Sequence, residues 1–319
     1  MPTTTKLLQG EISSSGAFAR QPVSFDGRLS SDGSTGYPAA PDRYHLYVSL
    51  ACPWAHRSII VRRLLGLEQT IGMTVVNPIR DDRGWAFGDG PGHSSDPING
   101  FTFLSQAYLA SDPGYVGRYT VPALWDKQNR KIVSNNYRNL CAQLASEFTA
   151  YVKTPLQLYP EPLRAQIDAL DQDIYAKVNN GVYRAGFAVS QQAYEVAFDA
   201  LFDALDRLEE LLTRQRYLVG NELTLADIRL YTTLVRFDVV YHFHFKCNLR
   251  RLTDYGALWA YARDLFQRPG FHDTTDFDHI KRHYYTTHPH INPTGIVPKG
   301  PQLDWWSPHQ REAAFRRSP

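Results

Sequence analysis

Cysteine is scarce: the 319-residue chain has three, Cys52, Cys141 and Cys247, scattered along its length. That is too few for a secreted disulfide framework, and it points to a reducing cytoplasm. The opening stretch MPTTTKLLQGEISSSG has no apolar run of the length a signal peptide needs, and nothing later could span a bilayer. A surplus of one charge is missing too. The net charge of +2 gives no electrostatic reason to expect nucleic acid or an anionic membrane as a partner. The chain also lacks any internal repeat.

What is there is an ordinary globular composition, 43% hydrophobic and 21% charged, at a length that suits two domains. Aromatics stand out. With 19 Tyr, 16 Phe and 6 Trp, a site or interface rich in flat amphipathic rings is expected, although rings also fill cores.

Residues 1–41, rich in Ser, Gly, Thr and Pro, read as an extended arm over the surface. RYHLYVSL (43–50) alternates like a strand, and ACPWAHRSIIVRRLLGL reads as a helix with Pro53 in its first turn and Gly66 as its stop. A second strand follows at 71–78. Residues 80–118 are Gly-, Asp- and Pro-rich and read as one long functional loop containing GWAF (84–87). TVPALWD (120–126) and KIVSNN (131–136) form a hairpin around Lys127-Gln128-Asn129, and YRNLCAQLASEF opens a helix. The order β-α-β, then β-β-α, is that of a thioredoxin-like domain, assigned to 42–150.

Beyond residue 150 the strand signals stop, and an all-helical domain is expected over 151–285. Its clearest helix is 190–215, where Tyr194, Phe198, Leu201, Leu205, Leu208 and Leu212 recur at three- and four-residue steps. Thr224 and Asp227 fit a capping box. Residues 286–319, with several Pro and Gly, read as a tail ordered on the surface.

Cys52 sits at the junction of the first strand and its helix. There, free N–H groups and the helix dipole favour a thiolate, whereas a lone cysteine is otherwise most often a packing residue. The strand–CPW–helix context favours the nucleophile. Position 55, where a resolving cysteine would lie, is Ala, which disfavours a dithiol exchanger. A monothiol here can form a mixed disulfide with a small thiol and needs a second thiol to resolve it. Cys141 reads as core, and Cys247 as either core or functional.

Seven strings in order, CPWAHR (52–57), GWAF (84–87), TVPALWD (120–126), NNGVYRAGFA (179–188), LTLADIRLYTTLVRFD (223–238), HFKCN (244–248) and INPTGIVPKGP (291–301), resemble the glutathionyl-hydroquinone reductases, the Xi class of glutathione transferases. The resemblance covers roughly residues 40–301. It implies the thioredoxin-like plus all-α architecture, a cytoplasmic homodimer, and a low-molecular-weight thiol cosubstrate with no tightly bound cofactor and no metal. Val121-Pro122 matches the site where such folds hold a cis proline whose preceding backbone pairs with the bound thiol peptide; an edge-strand proline is the plainer alternative. Trp85 is expected to be a large exposed ring lining the thiol cleft, or else a lid-packing residue. Tyr183, Tyr241 and Tyr284 match hydroxyls of the acceptor site, with Tyr285 as the rival of Tyr284.

One motif departs from the family. Where glutathione-using relatives carry Glu-Ser to hold the γ-glutamyl group, this chain has Asn136 and Tyr137. One carboxylate and one small hydroxyl are gone, so the expected thiol is one other than glutathione, with mycothiol or γ-glutamylcysteine as candidates. The alternative is glutathione bound through altered contacts. The activity implied is removal of the thiol substituent from S-conjugated hydroquinones through a Cys52 mixed disulfide; a general monothiol transferase or dehydroascorbate-type reductase is the alternative.

Two further features are assigned no function. His279 and His283 are four apart but lack a third ligand, so no metal is assigned. Arg311, Arg316 and Arg317 read as a short solvated basic tail.

Overall fold

The computed structural model describes residues 10–315, which divide into two compact units. One comprises Pro22–Gln157 and Asp273–Thr287; the other comprises the described residues up to Gln21, Leu158–His272, and those from His288 onward.

The first unit holds a mixed sheet of β1 (Tyr44–Val48), β2 (Gly72–Val75), β3 (Ala123–Asp126) and β4 (Lys131–Ser134), in the order β2-β1-β3-β4. β1 runs parallel to β2, with Tyr47 opposite Thr74, and antiparallel to β3, with Leu46 opposite Leu124. All five residues of β1 are buried, as a central strand covered on both faces requires. The β3–β4 turn is built on Asp126, whose carboxylate accepts the Gln128 and Asn129 N–H groups and pairs with Arg43 at 2.7 Å. Burial alone would raise that carboxyl, but Arg43 and the two N–H groups hold it below its ordinary range.

Helix α1 (Pro53–Leu64) starts at Pro53, whose fixed φ suits the first turn, and stops at Gly66, which takes the left-handed φ of +68° that a side chain would resist. The stretch read as a continuous loop contains α2 (Leu104–Ser111). Its Gln106 side chain reaches back to the Thr102 and Phe103 N–H groups, and Leu104, Ala107 and Tyr108 supply one short buried face. α3 (Leu140–Glu147) packs on α1, where Cys141 lies fully buried with its sulfur 3.7 Å from Ser58 Oγ.

The second unit is helical: α4 (Arg164–Ile174), α5 (Gly181–Gly186), α6 (Gln191–Arg214), α7 (Leu225–Arg236) and α8 (Gly256–Phe266). Ser190 caps α6 by accepting the Ala193 N–H, and Thr224 and Asp227 form the expected capping box on α7. α4 and α7 each run on into one π-helical turn, Tyr175–Asn179 and Phe237–Tyr241, and each such turn inserts a residue that re-aims the side chains after it. α9 (Phe277–Thr287) returns to the first unit, and α10 (Arg311–Ala314) to the second. No helix among the described residues is long and apolar enough to cross a membrane.

The arm and tail are more tightly bound than surface segments would be. Phe18 and Leu29 are buried, and Phe18 packs edge-on against Phe187 at 5.3 Å. The Ser24 and Phe25 N–H groups donate to Asn135 Oδ1, and the Gly27 N–H to the Val133 carbonyl. Arg311 is not solvated: it is 4% exposed and donates to the carbonyls of Leu212, Gln215 and Arg216, so it caps the C-terminus of α6. Arg316 and Arg317 lie outside the described residues.

Candidate active site

The backbone of Cys52 is extended (φ −79°, ψ 120°), which makes it the N-cap residue of α1; its carbonyl accepts the His56 N–H. The side chain is partly exposed, and its sulfur donates to the Val121 carbonyl at 3.5 Å. The Val121–Pro122 bond is cis. Ala55, in the next turn, is fully buried and offers no second thiol. None of the three cysteines is joined in a disulfide. Cys247 is buried near the Val182 carbonyl, and burial pushes its thiol far above the usual range, so it belongs to the core.

Tyr108, which no sequence motif marks, holds the segment that leads into Val121. The Tyr108 hydroxyl donates to the Thr120 carbonyl at 2.7 Å and accepts both the Thr120 N–H and Asn135 Nδ2. Burial pushes its phenol up to about 12, against the hydrogen bonds from Thr120 and Asn135. The one sequence signal was a tyrosine on the buried face of a helix short enough to read as loop.

Asn136 lies two residues past β4, in the turn into α3. Its Nδ2 donates to Asp26 at 2.9 Å, while its Oδ1 accepts the Arg138 and Asn139 N–H groups. Tyr137 is partly exposed, and its ring lies 4.6 Å from that of Trp54, the second residue after Cys52. The Arg57 guanidinium covers the Trp54 ring at 4.7 Å.

Trp85 departs from the exposed ring expected. It is 4% exposed, stacked on His283 with centroids 4.9 Å apart and planes 20° apart, with Arg80 at 5.5 Å from its centroid. The large aromatic found its burial partner on α9. His283 in turn meets Tyr284 edge-on at 5.4 Å. Tyr284 and Tyr285 are both buried, and burial pushes the Tyr285 phenol up to about 12.

Tyr183 and Tyr241 come together in the helical unit, their rings 5.9 Å apart. Tyr241 ends the π-turn after α7 and stacks on Phe245 at 5.5 Å. Arg20 sits 4.9 Å over the Tyr183 ring and donates to Asn180 at 3.1 Å. Among the described residues no group of three His, Cys, Asp or Glu is placed to hold a metal.

Residues 51–146 match the family of glutathione S-transferase N-terminal domains and residues 191–264 that of the C-terminal domains. The chain is 49% identical to the glutathionyl-hydroquinone reductase YqjG of Escherichia coli (strain K12), over 98% of this chain and 95% of that protein. It is 47% identical to the glutathionyl-hydroquinone reductase PcpF of Sphingobium chlorophenolicum, over 91% of each. The glutathione-bound structure of YqjG superposes with a TM-score of 0.89 at 50% identity, covering 92% of this chain and 97% of that one. The Xi glutathione transferase of Phanerochaete chrysosporium gives 0.88 at 47% identity, covering 91% and 94%. The chain therefore belongs to the glutathionyl-hydroquinone reductase family, the Xi class of the glutathione transferases.

Proposed function

We propose that this enzyme removes the thiol substituent from S-conjugated hydroquinones, with Cys52 as nucleophile. The observation that carries the reading is the Cys52 sulfur, partly exposed at a helix N-terminus beside the Val121 carbonyl, with no thiol at position 55. The hydroxyls of Tyr183, Tyr241 and Tyr284 hold the hydroquinone and favour its keto tautomer. The Cys52 thiolate attacks the sulfur of the conjugate, forming an S–S bond as the carbon–sulfur bond breaks. The bonding pair stays with the ring, which takes a proton at carbon and leaves as hydroquinone. A second thiol then attacks the mixed disulfide, releasing a symmetrical disulfide and the Cys52 thiolate. Tautomer assistance matters because sulfur on an aromatic carbon is a poor target for exchange.

Trp85, Val121, Pro122, Asn136 and Tyr137 are assigned to the thiol cosubstrate, within a thiol-binding domain over 42–150; the aromatic acceptor is assigned to 151–285. Asn136 and Tyr137 in place of a Glu-Ser pair, the one held by Asp26 and the other against Trp54, support a thiol other than glutathione, with mycothiol or γ-glutamylcysteine as candidates. The glutathione-bound structure of the relative YqjG supports glutathione itself. Turnover of hydroquinone conjugates with each thiol decides between them: high glutathione-dependent turnover at low millimolar thiol removes the mycothiol reading. Good activity on simple mixed disulfides, with none on hydroquinone conjugates, would instead assign a general thiol transferase. Family membership also supports a cytoplasmic homodimer, which sedimentation would check.

A further inference from the structure

His279 and His283 lie one turn apart on α9, and each reaches the loop between β2 and α2. His283 Nδ1 is 2.8 Å from the Pro78 carbonyl, and His279 Nε2 is 2.7 Å from the Pro91 carbonyl. A carbonyl only accepts, so each of these ring nitrogens carries the proton, and the pair acts as two fixed donors. Their attachment points bracket Trp85. The His283 ring also stacks flat on the Trp85 indole and meets Tyr284 edge-on. At the other attachment, Gly92 has φ +74°, and a Cβ there would lie 2.7 Å from His279 Nε2. Only glycine brings the loop this close.

We propose that His279 and His283 are positioning residues that clamp residues 78–91 to α9, holding Trp85 as a fixed wall for the thiol cosubstrate and coupling that wall to Tyr284. The inference rests on the assignment of Trp85 to the thiol cleft made above. A Gly- and Pro-rich loop left free would have to be ordered each time a thiol bound; two backbone bonds and a ring stack order it beforehand.

The test loads Cys52 as a mixed disulfide and follows its release by increasing thiol, glutathione and mycothiol in turn, so no hydroquinone is needed. His283→Ala is expected to raise the half-saturating thiol concentration about tenfold, with the limiting release rate changed by less than about twofold. His283→Asn, which retains an amide donor near Nδ1, and His283→Phe, which retains the ring, should each recover part of the loss. Tryptophan fluorescence should change in His283→Ala but not when the same substitution is made in a Trp85→Phe background. Unchanged half-saturation in folded His283→Ala overturns the clamp, as does a lower Tm with unaltered thiol dependence and fluorescence. If His283→Ala does not fold, His279→Ala, which removes the bond to the Pro91 carbonyl, gives the same reading. Failure of the intact enzyme to turn over any hydroquinone conjugate would refute the reaction class while this release assay still reports on the clamp.

Discussion

The Cys52 sulfur donates to the Val121 carbonyl across 3.5 Å, tying the N-terminus of α1 to the residue before Pro122. The thiol thus sits against the same backbone group proposed to pair with the cosubstrate. Sulfur is a weak donor, so an incoming thiol can displace this contact at little cost.

Replacing Cys52 by Ser should abolish reductive deconjugation, by about a thousandfold or more, because oxygen cannot carry the mixed disulfide. Cys141→Ala and Cys247→Ala, both at buried sites, should remain active with some loss of stability. Mass spectrometry after incubation with a hydroquinone conjugate should find the adduct on Cys52 alone; an adduct on another cysteine removes the nucleophile assignment.

Thiol choice should follow Asn136 and Tyr137. The double variant Asn136→Glu, Tyr137→Ser restores a carboxylate and a small hydroxyl, and should raise kcat/KM for glutathione by about tenfold or more relative to mycothiol, the scale of one charge-assisted hydrogen bond. An unchanged ratio would mean that these positions do not read the thiol.

Tyr108→Phe keeps the ring but leaves the Thr120 N–H and Asn135 Nδ2 without their shared hydroxyl. A loss of about 1–3 kcal/mol in urea unfolding is expected, together with a raised thiol KM. Stability reduced without any change in KM would confine Tyr108 to the scaffold.

Acid should destabilise the fold through two buried histidines. Burial lowers both His45, against the opposing pull of Asp96, and His244, aided by Lys246 and His290, to about 4 from 6.5. Between those values the unfolded chain binds protons that the fold excludes. Stability therefore falls as pH drops from 6.5 towards 4, by about 1.4 kcal/mol per pH unit for each histidine. Urea midpoints across that window measure the slope, and His45→Gln, which keeps a polar partner for Thr74, should flatten it.

Arg311→Ala should cost about 1–3 kcal/mol, because three carbonyls at the end of α6 lose their donor. Arg311→Lys should recover only part, since an ammonium cannot reproduce the guanidinium fork. Thermal unfolding measures both.

Much of the fold was legible from short-range patterns. The alternation in RYHLYVSL, Pro53 after Cys52, Gly66 past the last turn, and Thr224 three residues before Asp227 all act through neighbours a few residues away. The candidate site was legible only in part. Cys52 and Val121 announced themselves by motif, whereas Tyr108 lay hidden in a helix with a single buried face, and Trp85 read as exposed because nothing near it could cover an indole.

By itself the sequence determined the order of the four strands and of the longer helices, the caps that begin and end several of them, the family, and a lone cysteine at the start of α1, because each depends on local backbone preference or on a run of motifs in order. Tertiary structure alone decided that Trp85 lies under His283, that Asn136 is held by Asp26, and that Arg311 closes α6. Those outcomes require partners from distant parts of the chain, and burial and hydrogen bonding are satisfied by whichever groups the fold brings near, a proximity that local sequence pattern does not encode.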